Sequence, residues 1–242
     1  MPTATFDSGL SGVRTALAAN RLIVIVDVFR FTSTVTTAVA NGFTIIPSSH
    51  PEKAAELSHQ TGITLAGNTG SSKYSLSPLD YLNPSSVEDV ILFSPNGSAC
   101  VEHVTQNGVG FIGSFLNARS VGRVLREESA RTGMDVTVVA ADEVLEDQYM
   151  DFISRRFALE DHLCAGFIFS ELHMDLSPEA EVCLRAYETS KHDYVALLKN
   201  CLSGKYLIER GLEADISHCL QRNIYEIVPV MRDGKIISHD AF

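Results

Sequence analysis

The stretch IVIVDVFRFTSTVTTAVANG, Ile23 to Gly42, decides the fold. Residues Leu22–Val26 are apolar, mostly β-branched and continuous rather than alternating, which is the pattern of a strand covered on both faces in a parallel α/β sheet. Asp27 and Arg30 then stand at its carboxyl end, where open α/β sheets bind their ligands. From Thr32 a helical pattern takes over, with Thr32 or Ser33 as N-cap, so the free N–H groups of the first turn point into the same crevice. Asp27, Arg30, Ser33 and Thr34 form a compact set of candidate metal and anion ligands.

Outward from this stretch the same alternation recurs. Strand-like runs are expected at Leu22–Val26, Phe43–Ile46, Ile63–Ala66, Val90–Phe93, Val109–Ile112 and Val136–Ala140, with helices at Pro51–Gln60, Ser98–Gln106 and Ala118–Arg131. This order implies α/β architecture: a largely parallel or mixed sheet with helices on its faces. Residues 142–220 read as almost wholly helical, including Leu159–Leu172, Pro178–Thr189 and Asp193–Leu202, with Pro178 where a helix starts. A terminal strand pair follows at Tyr225–Val230 and Lys235–Ile237, around a turn at Arg232-Asp233-Gly234. No linker or fixed-period repeat divides the chain, so residues 1–242 are read as one unit with sub-lobes at 1–141 and 142–242.

Composition narrows the function. The chain has 242 residues, 45% of them hydrophobic, and a formal charge of −11. That charge argues against nucleic acid or an anionic membrane as partner, both of which select clustered Lys and Arg, and favours a small ligand. No apolar run reaches the roughly 18 residues of a membrane span, and the first residues carry neither a basic n-region nor an apolar h-region. A cytoplasmic protein is expected, and self-association stays open. The five cysteines, Cys100, Cys164, Cys183, Cys201 and Cys219, form no CxxC pair, which suits buried thiols better than zinc or disulfides.

Three more polar clusters follow apolar runs. Ser94-Pro95-Asn96-Gly97-Ser98 comes after Phe93, Gly113-Ser114-Phe115-Leu116-Asn117 after Ile112, and the loop Gly67–Pro78 after Ala66. In a parallel sheet these loops lie along one edge with Asp27, and their backbone N–H groups, with Asn68, Asn96, Gly97, Ser98, Ser114 and Asn117, converge on one anion. Asn117 is also a good N-cap. Glu160 and Asp161 begin a helix, where adjacent carboxylates serve either the helix dipole or a metal. His162 and His173 lack zinc-pair spacing. The position of the second Asp in the DxDx(T/V) signature of aspartyl-phosphate phosphatases is occupied by Phe29, and GxSxG, GxxxxGK(S/T) and HExxH are absent.

At these residues the chain resembles the 2-phosphosulfolactate phosphatase family. DVFRFTSTVTTAVANG is similar to the family's DVxRATSTxxxALxxGA, through Asp27, Arg30, Thr32, Ser33, Thr34, Ala38 and Gly42. SPNGS is similar to (T/S)xNG(T/S), GSFLNA to GSxxNA, and LEDHLCAG to EDxxxAG. A weaker likeness runs through Gly211, Asp215, Ile216, Cys219 and Val228-Pro229. The resemblance implies a three-layer αβα fold, bound Mg²⁺ held through Asp27, Glu160 and Asp161, and hydrolysis of a small anionic hydroxy-acid phosphate of the coenzyme M pathway. It further implies attack by water activated at the metal, with Asp27 and Arg30 as catalytic residues. The family's GERGG-like loop is replaced here by Gly67-Asn68-Thr69-Gly70, with Lys73, Arg155 and Arg156 as candidate substitutes for the missing Arg. That departure favours the alternative, a catalytically silent relative that binds an anionic metabolite.

Overall fold

The computed structural model describes residues 2–67, 72–83, 88–146 and 153–239, with backbone alone for 106–107, 143–146 and 153–155. In chain order the elements are β1 (Thr3–Ser8), α1 (Gly9–Ala18), β2 (Leu22–Val26), α2 (Phe31–Ala40), β3 (Thr44–Ser48), α3 (Pro51–Thr61) and β4 (Thr64–Ala66). A short 3₁₀ helix at Pro78–Tyr81 precedes β5 (Asp89–Phe93), α4 (Gly97–Asn107), β6 (Gly110–Gly113), α5 (Ala118–Thr132) and β7 (Val136–Ala140). Then come β8 (Glu143–Glu146), β9 (Ile153–Arg156), α6 (Leu159–Leu172), β10 (Asp175–Leu176), α7 (Pro178–Ser190), α8 (Tyr194–Asn200), α9 (Leu202–Glu209), α10 (Glu213–Cys219), β11 (Pro229–Arg232) and β12 (Lys235–Ser238).

Ten strands form one mixed sheet in the order β10-β1-β7-β2-β6-β11-β12-β3-β5-β4. The central strands β2 and β7 are buried at every residue, as their unbroken apolar runs require. Successive side chains of β2 point to opposite faces. Leu22, Val24 and Val26 pack with α5, α6 and α7, whereas Ile23 and Ile25 pack with α1, α2 and α4. The result is the three-layer αβα arrangement expected.

The sheet departs from a parallel one in its middle. Strands β10, β1, β7, β2 and β6 run one way. The hairpin β11–β12 pairs antiparallel with β6 on one side and with β3 on the other, so β3, β5 and β4 run opposite to the first block. The expectation of a single edge for all the strand-end loops is corrected accordingly: the carboxyl ends of β4 and β5 belong to the opposed block.

Other sequence expectations shift locally. β1 and α1 escaped notice because β1 buries only Ala4 fully, while α1 presents the small stripe Gly9, Gly12, Val13 and Ala16 rather than large apolar residues. The segment 142–220, read as almost wholly helical, begins with an antiparallel pair, β8 and β9. The expected helix through Asp193–Leu202 breaks at Cys201, whose extended backbone ends α8 and whose sulfur accepts the Gly204 N–H to start α9. In the terminal pair, the first strand begins at Pro229 rather than Tyr225. The α7 start matches its signals, with Pro178 in the first turn and Ser177 Oγ accepting the Ala180 N–H.

Candidate active site

Asp27 leaves the carboxyl end of β2 into a cavity of about 180 Å³. Phe29, Arg30, Leu76, Asn96, Asp142, Glu160 and Asp161 share its walls, and α9 closes it with Ser203, Tyr206 and Leu207. Among the described residues the lining carries four carboxylates, Asp27, Asp142, Glu160 and Asp161, against a single basic side chain, Arg30.

The backbone around Asp27 is locked by Thr32, whose hydroxyl accepts the Asp27 N–H at 3.0 Å and donates to the Asp27 carbonyl at 2.8 Å. Asp27 Oδ1 receives the Phe31 N–H at 3.3 Å, so the carboxylate caps the start of α2; the helix begins at Phe31, which puts Arg30 at the N-cap position in place of the expected Thr32 or Ser33. Burial, offset by the Phe31 and Gly97 N–H groups and reinforced by the charge of Glu160, pushes the Asp27 carboxyl up to about 6. Asp161 reaches across from α6, accepting the Val28 N–H at 2.8 Å. Burial and then the charges of Asp27 and Glu160 hold its carboxyl well above the usual range. Glu160, also buried, accepts a hydrogen bond from the Cys201 thiol at 3.5 Å. Burial is the larger cause of both shifts, and the like charge of Glu160 adds to each.

Arg30 is held from behind. Its Nη1 donates to Asp215 Oδ2 at 2.5 Å, and Ser77 Oγ donates to the other oxygen of Asp215 at 2.6 Å. The fork is thereby fixed in orientation, its single charge already balanced by a buried carboxylate.

The decisive comparison is with whole families. The model of the 2-phosphosulpholactate phosphatase family matches residues 11–234. The chain belongs to that family. Among its relatives, a probable 2-phosphosulfolactate phosphatase of Thermotoga maritima is 30% identical over 225 residues, covering 90% of this chain and 92% of its own. The 2-phosphosulfolactate phosphatase of Methanothermobacter thermautotrophicus is 30% identical over 219 residues, covering 89% and 88% respectively. A probable 2-phosphosulfolactate phosphatase of Symbiobacterium thermophilum is 30% identical over 237 residues, at 90% and 94% coverage.

Residues picked out by the family motifs divide into two groups. Asp27, Arg30, Asn96, Glu160 and Asp161 line the cavity, although they come from β2, the β5–α4 junction and α6. Gly97 belongs with them: a Cβ there would lie 2.5 Å from Asp27 Oδ2 and 2.6 Å from the Phe31 ring, so only glycine lets α4 start against Asp27. The β5–α4 junction therefore meets the β2 end even though their strands run in opposed blocks. The remaining motif residues are fully buried and turn inward. Ser33 Oγ donates to the Val28 carbonyl, Thr34 Oγ1 to the Leu76 carbonyl, and Ser98 Oγ to the Leu92 carbonyl. Ser114 hydrogen-bonds Thr36 and Asn117, and Asn117 Nδ2 ties the Ile112 and Ile227 carbonyls together. Asn117 sits at the N-cap position of α5 without a side-chain cap, its oxygen being spent on Ser114 instead. Lys73 pairs with Glu88 at 2.7 Å. Residues 68–71, Asn68 among them, lie outside the described residues, as does the Arg155 side chain.

Sequence reasoning missed Asp142, Ser77 and the α9 wall, and it met Asp215 only in the weaker family likeness, without a role. Asp142 stands two residues past β7, close to where Asp27 stands past β2, so a similar strand-end signal identifies it. Arg30–Asp215 spans 185 positions and carries no local signal.

Proposed function

We propose that the chain is a Mg²⁺-dependent phosphatase that hydrolyses 2-phosphosulfolactate to sulfolactate and phosphate, in the cytoplasm. The observation that carries this reading is the charge of the cavity: four carboxylates and one already balanced guanidinium cannot hold a polyanionic ester unless a cation joins them. The donor set suits Mg²⁺, a hard cation that keeps several waters and takes one or two carboxylates rather than a closed protein cage. Among the described residues no group of three His, Cys, Asp or Glu side chains is placed to hold a metal ion, so the ion would rest on one or two of the Asp27, Glu160 and Asp161 carboxylates and on water. When bound it would supply charge neutralisation and polarisation of the phosphoryl group.

The chain's own residues do the rest. Arg30, steered by Asp215, offers its remaining N–H donors to an oxygen pair of the phosphoryl or carboxylate group. Asn96 adds a neutral amide at the mouth of α4. Leu76, Tyr206 and Leu207 restrict water around the reacting ester, which strengthens each of these contacts. No helix among the described residues is long and apolar enough to cross a membrane, and none of the five cysteines forms a disulfide, which fits a reducing compartment.

The test is phosphate release from racemic 2-phosphosulfolactate and 2-phospholactate, with Mg²⁺ and with chelator. Release from the first compound that requires Mg²⁺ and disappears in Asp27→Asn is expected. A second readout needs no turnover: millimolar Mg²⁺ raises the melting temperature of the wild type but not of Asp27→Asn. A chelator-insensitive rate, or equal thermal shifts, would remove the cation from the reading.

A further inference from the structure

Strands β2 and β7 are parallel neighbours in a register that pairs Val26 with Ala140, and the Ala141 N–H donates to the Val26 carbonyl at 2.8 Å. Asp27 therefore stands opposite Ala141, Asp142 follows one residue further on, and both aspartates line the cavity. Asp142 adopts a left-handed φ of 54°, a conformation that Asp enters more readily than most non-glycine residues. Its carboxylate is held by specific partners. Oδ1 of Asp142 receives the Ala158 N–H and sits 3.3 Å from His162 Nε2, and the Ser8 hydroxyl also bonds the carboxylate. The His162 ring is itself wedged between Phe6 and Phe157, with centroids 4.7 and 4.1 Å away.

This environment is opposite to that of the other acids. Burial alone would raise the Asp142 carboxyl, but His162, the Ala158 N–H and the Ser8 hydroxyl outweigh it and hold the group below the usual range. Asp142 is thereby kept ionised, with its orientation fixed by the Ala158 N–H and by His162.

We propose that Asp142 is a further catalytic residue of this cavity, the carboxylate that orients the attacking water and takes its proton, with His162 as the positioning residue behind it. The inference rests on the hydrolase reading above. The water oxygen bonds to phosphorus while the ester P–O bond breaks and its electron pair leaves on the ester oxygen. That oxygen takes a proton from solvent water, and the proton on Asp142 returns to solvent. A weakly basic carboxylate suffices because phosphoryl transfer passes through a loose transition state in which the water needs aiming more than deprotonation.

The test uses Asp142→Gly, since glycine accepts the left-handed backbone without strain and leaves a hole of carboxylate size. With 2-phosphosulfolactate and Mg²⁺, kcat should fall about 100-fold with KM within about 3-fold. Sulfolactate affinity, measured by calorimetry, should stay within the same factor, and added formate should restore at least a tenth of the lost rate. His162→Ala should lower kcat about 10-fold in the wild type and have no further effect in the Asp142→Gly background. An Asp142→Gly variant with near wild-type kcat, or one whose loss is matched by lost sulfolactate binding and ignores formate, overturns the assignment while the wild-type rate upholds the phosphatase. A wild type that binds sulfolactate yet hydrolyses neither 2-phosphosulfolactate nor p-nitrophenyl phosphate overturns both.

Discussion

At Asp27 the carboxyl moves from an ordinary 3.8 to about 6 on folding, so the native chain binds more protons than the unfolded chain between those values. Stability from this group is complete below about pH 4 and is lost as pH rises through 6. In chelator, Asp27→Asn should therefore stabilise the chain more at pH 7.5 than at pH 4, by up to about 3 kcal/mol. Urea unfolding of both proteins at the two pH values measures the difference; a gain that is equal at both means that Asp27 is not under electrostatic stress. Arg30 invites the opposite experiment. Its partner Asp215 is buried, with side-chain exposures of 11% and 3% across the pair, so removing one member strands the other charge. Asp215→Ala should cost about 3–5 kcal/mol, and the double variant Asp215→Ala/Arg30→Met much less than the sum of the two singles. Additive losses would mean that the two residues act independently. Of these two residues only Asp27 was legible from its neighbours in sequence. Arg30 was found with it, but the reason it points where it does lies 185 positions away.

Between elements, some motif residues serve packing and backbone hydrogen bonding. The Ala-Gly at the end of LEDHLCAG is a packing signal: a Cβ on Gly166 would fall 2.1 Å from the Cys183 carbonyl oxygen, where α6 crosses α7. Backbone cannot yield as a flexible side chain can, so Gly166→Ala must part the helices. A loss of about 1–3 kcal/mol is expected, read by thermal melting, with KM unchanged because α7 contributes nothing to the cavity walls among the described residues. A melting point like that of the wild type would mean that the α6–α7 crossing is looser than its geometry requires. The same close approach at Gly97 serves the site, since it brings α4 against Asp27. A sequence motif reports that glycine is needed and is silent about which neighbour needs it. For the same reason Ser114 and Asn117, which read as anion ligands, turn out to knit the β6–α5 junction to the Ile227 backbone.

Across the whole molecule, the continuous apolar runs made most strands of both parallel blocks legible, because burial on two faces leaves a local trace in each strand. Their relative direction left none, since it depends on the hairpin of residues 229–238, which enters the sheet between strands formed far earlier in the chain. Met231 and Ile236 at the heart of that hairpin are fully buried, packing on the same face as α1, α2 and α4. The hairpin supplies every sheet hydrogen bond between the β6 and β3 sides, so it couples the blocks mechanically. Ile236→Ala should cost about 2–4 kcal/mol, and the loss should be shared. Hydrogen exchange of the β2 and β7 amides should accelerate by the same factor as that of β3 and β5, because both are protected by one global unfolding event. If only the β3-β5-β4 amides exchange faster, that block opens as a separate unit and the hairpin is a seam, not a coupling. The distinction bears on activity, since Asn96 and Gly97 arrive at the site from that block while Asp27 and Asp142 arrive from the other.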